Sequence, residues 1–266
     1  MKIPVLFVIL TFALVSCYEP NNENQGSKDQ VTFNPKFDGL DAFLNYKEKV
    51  DQYKNLKSLP SLFYTHFSGY TLQSKVQLTG NNELIKANLE KMDTNGLQTI
   101  YSFYFLQEVL SMVTISKSNN KPAAPTQEQI IVFYSAAQNP IGAYRSTSHT
   151  QKAQNQGAKT FQSISVTKSL HHQIDQHLQY ITEMQNQEGR FELYFQDFDE
   201  AFNKKFVQFG NNEFSTNLAF APNEILIEEL QKNPSLYTNK KFHIQHQQIQ
   251  EASGLSYQVL VSIEKL

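Results

Sequence analysis

Residues 97–105 read LQTIYSFYF and residues 109–115 read VLSMVTI. In the first stretch Leu97, Thr99, Tyr101, Phe103 and Phe105 fall on every second position; in the second, Val109, Ser111, Val113 and Ile115 do so. A period of two is the repeat of a β-strand, whose successive side chains point to opposite faces, and aromatic and β-branched residues favour it. Upstream, Tyr70, Leu72, Val76 and Leu78 show the same period ahead of the turn signal Thr79-Gly80-Asn81-Asn82. Glu83 to Met92 then leads to a second turn signal, Asp93-Thr94-Asn95-Gly96. Four strands separated only by short turns predict an antiparallel meander of consecutive hairpins.

Away from this meander the period changes. From Gly39 to Leu59, the apolar residues Leu40, Phe43, Leu44, Val50 and Tyr53 recur near the helical repeat, and Pro60 is expected to end the helix. Acidic residues stand among its lysines, so packing on a sheet is preferred over binding to a membrane surface. A polar break is expected over 116–128, a short strand over 130–134 and a turn at Asn139-Pro140. Residues 146–160, STSHTQKAQNQGAKT, read as a long exposed loop or a boundary between subdomains. Leu170, Ile174, Leu178 and Ile181 predict a second helix, stopping near Glu188-Gly189. Strands follow at 191–195, 206–209 and 214–220, and Pro222-Asn223-Glu224-Ile225 opens a short helix that ends before Asn233-Pro234. The chain closes on a hairpin turning at Ala252-Ser253-Gly254, with Tyr257, Val259, Val261 and Ile263 expected on one face. The expected class is α+β, an antiparallel β-sheet meander with two or three amphipathic helices packed on it. Two helix-then-strand halves, 37–145 and 160–266, are either separate units or one continuous domain, and both arrangements stay open.

The amino terminus speaks to location. Lys2 precedes an apolar run from Ile3 to Val15, and the flank turns at once to Tyr-Glu-Pro-Asn-Asn-Glu-Asn-Gln. About 20 apolar residues are needed to span a bilayer core of about 30 Å, so the run predicts an export signal over 1–16 and not a permanent span. Leu14-Val15-Ser16-Cys17 resembles the lipobox of bacterial lipoprotein precursors. That resemblance covers only the signal segment. It implies a diacylglyceryl thioether on Cys17, cleavage between Ser16 and Cys17, and acylation of the new amino terminus. A thiolate is the nucleophile such alkylation needs, and two or three acyl chains hold a protein stably where one does so marginally. Tyr18, where enterobacterial lipoproteins retained at the inner membrane carry aspartate, implies the outer membrane. Residues 17–36, rich in Asn, Glu, Gln, Ser and Gly, read as a flexible tether reaching roughly 25 Å on average.

Composition narrows the classes. Hydrophobic residues are 40% and charged residues 18% of the chain, a globular balance. Cys17 is the only cysteine, so no disulfide within the chain and no CxxC metal or redox site is available. The net charge of −2 and only two arginines, Arg145 and Arg190, argue against a nucleic-acid binder. The lysine, asparagine, phenylalanine and tyrosine bias reads as codon usage in an AT-rich genome, in preference to a sugar-binding meaning for the amides.

Catalytic and metal constellations find little support. Zinc ligands on a helix stand three or four apart, but His171, His172 and His177 are separated by one, five and six, with Asp175 the only nearby carboxylate. They read as exposed polar positions. His243 and His246 fall three apart on a predicted strand, hence on opposite faces, while His66 and His149 are isolated. Ser165 and Lys168 share the S-x-x-K spacing without its companion motifs, and Gly69-Tyr70-Thr71 is no nucleophile elbow. Asp197, Asp199, Glu200 and Asn203 do not match a calcium loop and read as a solvated acidic turn between strands. No GxGxxG or Walker loop occurs. The aromatic stripe Tyr101, Phe103 and Phe105 reads as core, with a ligand or partner pocket as the functional alternative.

These readings point to a membrane-anchored envelope lipoprotein that is no enzyme, carries no cofactor and recognises another protein. The alternative is a carrier of a hydrophobic small molecule or lipid in a curved-sheet cavity, which resembles in general plan the lipoprotein-carrier folds of bacterial envelopes. A hydrolase whose site assembles only in three dimensions ranks third.

Overall fold

A computed structural model describes residues 39–119, 126–149, 160–220, 225–238, 240–252 and 254–266. The export signal, the lipobox with Cys17 and the tether lie outside the described residues. The chain runs through α1 (Leu40–Gln52), β1 (Lys57–His66), β2 (Thr71–Leu78), β3 (Leu84–Met92), β4 (Leu97–Leu106) and β5 (Val109–Asn119). Next come β6 (Thr126–Tyr134), β7 (Pro140–His149), β8 (Gln162–Ile164) and α2 (Lys168–Asn186). The remainder is β9 (Leu193–Ala201), β10 (Lys204–Gly210), β11 (Phe214–Ala219), α3 (Ile225–Lys232), β12 (Lys241–Gln250) and β13 (Ser256–Lys265). All thirteen strands belong to one sheet, so the class is α+β in the broad sense with sheet dominant.

From β1 to β8 each strand pairs antiparallel with the next. The β1–β2 and β3–β4 connections are tight turns ending on a left-handed glycine, Gly69 at φ 92° and Gly96 at φ 80°. Register aligns Ala87, Phe103, Val113, Val132 and Ala143 across five strands, all of them buried on the face covered by α2. Ile174, Ile181 and Met184 supply the buried stripe of α2, and Thr167 caps its start by accepting the Leu170 N–H at 3.1 Å. The opposite row, Tyr104, Met112 and Phe133, lies under Phe43, Tyr46 and Val50 of α1. The Phe43 and Phe133 rings stack at 4.0 Å, and the Tyr46 hydroxyl donates to the Phe105 carbonyl.

Beyond the meander, β9, β12, β13, β11 and β10 form a closed circuit of pairings. One edge of β11 is shared: β1 pairs with Phe214 and Ser215, and β13 with Ala219. A single hydrophobic cluster gathers residues from both 37–145 and 160–266, including Leu62, Phe103, Ile181, Phe209, Phe242 and Leu260. α2 is tied to the second half at its end. Gln187, left-handed at φ 54°, accepts the Ile244 N–H at 2.8 Å and donates to the Ile244 carbonyl at 2.6 Å.

Several local expectations need correction. The first helix stops at Gln52, and Pro60 lies inside β1 beside a register shift, where its missing N–H breaks no regular ladder. The polar break over 116–128 is narrower, because β5 runs to Asn119 and β6 starts at Thr126, with Lys117 opposite Glu128. Ser146 to His149 extend β7 against β6, so this polar stretch begins as strand rather than loop; residues 150–159 lie outside the described residues. On β13 the four residues expected on one face divide: Val261, 54% exposed, is skipped where the register shifts against β12, Ile263 packs on the core cluster, and Gln258 and Leu260 are buried, Gln258 being bonded to backbone groups of β1.

Candidate functional site

The chemistry-bearing residues singled out by spacing do not converge. Ser165 is exposed ahead of α2 and Lys168 is its exposed first residue. On α2, His172 is exposed, while His171 lies 3.5 Å from the Tyr134 hydroxyl and 3.6 Å from Asp175. His177 departs from the exposed position expected for it. Its ring stacks on Tyr101 at 4.0 Å, and its Nδ1–H donates to the Gln173 carbonyl at 2.6 Å. Burial holds its pKa below the usual imidazole value, with Lys91 adding to the effect against the Gln173 bond. His243 stands opposite Glu264, and His246 donates from Nε2 to the Ser61 carbonyl at 3.1 Å. The backbone of His149 pairs with Thr126. Among the described residues no group of three His, Cys, Asp or Glu side chains is placed to hold a metal ion.

Asp197 and Asp199 sit on β9 and not in a turn. Each carboxylate accepts the N–H of the following residue, Phe198 at 2.8 Å and Glu200 at 2.7 Å, while Phe202 and Asn203 make the left-handed turn. Acidic side chains folded over their own strand edge discourage pairing with foreign strands. Tyr101, Phe103 and Phe105 are all buried in the cluster that includes α2. Gln173 donates to the Tyr101 hydroxyl at 2.9 Å, and burial, followed by Asp93, pushes that phenol up to about 12.

A different place is built to be seen. In the β1–β2 turn, Phe67 is 78% exposed, the most exposed large hydrophobic side chain among the described residues. Its ring rests on His66 at 4.2 Å, and His66 stacks on Tyr70 at 4.3 Å and 14°. Lys91 covers Tyr70 at 4.5 Å from the ring centre and pairs with Asp93 at 2.9 Å. The backbone is fixed as well: the Phe67 N–H donates to the Glu213 carbonyl at 3.0 Å, and the Gly69 N–H to the His66 carbonyl at 2.8 Å. A second ordered group borders the turn through Glu213, since Arg190 meets that carboxylate at 3.5 Å and the Tyr180 hydroxyl at 3.1 Å.

Within the rim, the His66 Nδ1 and the Ser68 hydroxyl lie 2.8 Å apart, and Lys91 and Arg190 each have a carboxylate partner. The rim presents an exposed aromatic ring tilted at 35° against His66. Phe67 escaped the reading of the sequence because it lies between two periodic segments. The signal was an aromatic residue directly before Ser68-Gly69, where a turn ordinarily carries polar side chains. No protein-family profile matches the chain, and no curated protein or solved structure is significantly similar to it.

Proposed function

We propose that this protein is a non-enzymatic binding lipoprotein of the bacterial envelope, lipidated at Cys17 on the outer membrane, facing the periplasm or the cell surface, and that it recognises another protein through the rim centred on Phe67. The observation that carries the recognition reading is the preorganised stack, with Phe67 outermost over His66, Tyr70 and Lys91. Exposed single hydrophobics are common and need no explanation. Phe67 differs in that its ring contacts a stacked His66–Tyr70 pair and its backbone is hydrogen-bonded to Glu213, and aromatic side chains are enriched at interfaces. The membrane reading rests on Leu14-Val15-Ser16-Cys17. No helix among the described residues is long and apolar enough to cross a membrane.

The test is a photo-crosslinking residue placed at position 67 in the native host, with one at Phe202, 75% exposed in the β9–β10 turn, as control. A discrete protein adduct at 67 and none at 202 is the expected result. Equal labelling at both positions, or none, would remove the Phe67 reading. Cys17→Ala should abolish membrane fractionation and the acyl mass, independently of that outcome.

A second reading draws on α2, which covers an apolar sheet face partly through polar contacts, Gln173 to Tyr101 and His171 to Tyr134. A helix so attached would act as the lid of a carrier for a hydrophobic small molecule. Native mass spectrometry of the protein from its own envelope decides it: a bound mass lost on denaturation supports the carrier, and a bare mass counts against it.

A further inference from the structure

Phe202 stands at the tip of the β9–β10 hairpin, where Ala201 pairs with Lys204 and only Phe202 and Asn203 make the turn. Both are left-handed, at φ 52° and 59°. A two-residue turn of that kind favours Asn, Asp and Gly, which enter the left-handed region at little steric cost, whereas a bulky side chain there is strained. The remaining left-handed positions keep to this rule: Asn82, Gln107, Glu108, Gln138, Gln187 and Asn203 are polar, and Phe202 is the only apolar side chain so placed among the described residues. Its ring is also 75% exposed. A polar residue would remove both costs at once, and strain kept against so simple a remedy marks a position held for function.

A second turn braces the tip. Lys204 pairs with Glu251 at 3.0 Å and lies 4.8 Å from the centre of the Tyr257 ring. Glu251 and Tyr257 flank the β12–β13 turn, in which the Glu251 N–H donates to the Leu255 carbonyl at 2.8 Å. Two hairpin turns therefore stand side by side at one end of the closed circuit of strands, with Phe202 on one and the half-buried Leu255 and Tyr257 on the other. The Phe67 rim lies toward the opposite end. β10 covers roughly 20 Å from Lys204 to Gly210, and the Phe67 N–H is bonded just beyond it, at Glu213.

A protein interface of standard size buries about 800 Å² on each partner, more than a two-residue tip provides. A bilayer asks for no complementary surface. It takes up a projecting apolar side chain, and Lys and Tyr are the residue types that sit behind such a side chain at the level of the headgroups. Lys204 and Tyr257 occupy that place here, and Lys204 brings its carboxylate partner with it. Asp197, Asp199 and Glu200 follow on β9, and the cost of dehydrating them restricts entry to the tip.

We propose that the β9–β10 tip dips into the surface of a phospholipid bilayer, with Phe202 inserted at the boundary between headgroups and acyl chains. The inference rests on the lipid anchor at Cys17, which holds the protein at that surface, and it leaves the Phe67 rim at the end remote from the membrane. Lipid, not protein, then surrounds position 202, which suits it as the protein-crosslinking control.

The chain contains no tryptophan, so Phe202→Trp introduces a single indole. The full protein, purified from its host membranes, is reconstituted into phosphatidylcholine vesicles, with Phe67→Trp and Leu236→Trp, at positions 78% and 66% exposed, as controls. Emission from position 202 should shift to the blue, and brominated acyl chains should quench it about twofold or more beyond the quenching at 67 or 236. No quenching at 202, or equal quenching at all three positions, would overturn the proposal. The acyl mass on Cys17, read from the same samples, reports the anchor separately; where that mass is missing, the vesicles are added to the protein and the same quenching decides. Phe202→Asn should raise the midpoint of urea unfolding by relieving the turn. A lowered midpoint would mean that the ring serves the fold and would also overturn the proposal.

Discussion

The side chain of Gln258 completes the backbone of Phe63: its Oε1 accepts the Phe63 N–H at 2.7 Å, while its Nε2 donates to the Ser61 carbonyl at 3.1 Å. The pairing is needed because the shared edge of β11 leaves β1 and β13 diverging, with a fork between them. Backbone groups facing a buried gap must find partners. One amide, joined by the Nε2–H of His246 on the same Ser61 carbonyl, provides them.

Gln258→Leu removes the bracket while filling the space. Leaving the Phe63 N–H without a partner should cost about 1–3 kcal/mol. Urea unfolding should show a lower midpoint with an unchanged slope. A wild-type midpoint would mean that the fork is open to water.

Gln187 makes the equivalent bracket around Ile244 from a left-handed backbone position. Gln187→Ala loses both bonds and retains the conformational strain, whereas Gln187→Gly loses the bonds but relieves the strain. The expected order of stability is Gln, then Gly, then Ala, with the last two separated by about 1 kcal/mol. The reverse order between Gly and Ala in thermal unfolding would refute the αL assignment.

Acid should loosen the fold before the carboxylates titrate. Burial lowers the pKa of both His177 and His246 from 6.5. The unfolded chain therefore binds more protons than the native one as pH falls below about 6.5, and stability present in full above that value declines toward the native pKa values. His177→Gln and His246→Gln should each flatten the dependence of the urea midpoint on pH between about 7.5 and 5. Slopes identical to wild type in both variants would show that these rings titrate as exposed ones do.

At Gly210 an added methyl group would meet the Phe214 carbonyl oxygen at 2.2 Å and the Ser215 Cα at 2.7 Å. Both obstacles are backbone, so a rotamer change cannot clear them. Gly210→Ala should cost about 3 kcal/mol or more and disturb the β10–β11 hairpin, visible as selective loss of amide exchange protection there. By comparison, an alanine at Gly80 meets nothing within 4 Å and should be silent.

Residues 97–105 were readable as a strand because the meander is local: neighbouring strands are neighbours in sequence, and alternation from Leu97 to Phe105 marks the face under α2, while Tyr104 on the other face is buried beneath α1. The α2 stripe was readable for the same reason, through the helical spacing of Leu170, Ile174, Leu178 and Ile181. Alternation failed on β13, where Val261 is skipped in the pairing with β12 and Gln258 turns inward to the backbone of a strand 195 positions away. The same limit hid the candidate site. Phe67 is defined by its contact with His66 and by the Glu213 carbonyl.

The sequence by itself therefore determined the lipobox expectation, the strand-rich class, the helices and most turns, all of which depend on periodicity or on residues within one turn of each other. The closure of β9 to β13, the fork bridged by Gln258, the burial of His177 and the position of Phe67 were decided only by tertiary structure. Each depends on where a buried backbone or ring finds its partner, and such partners lie far apart along the chain.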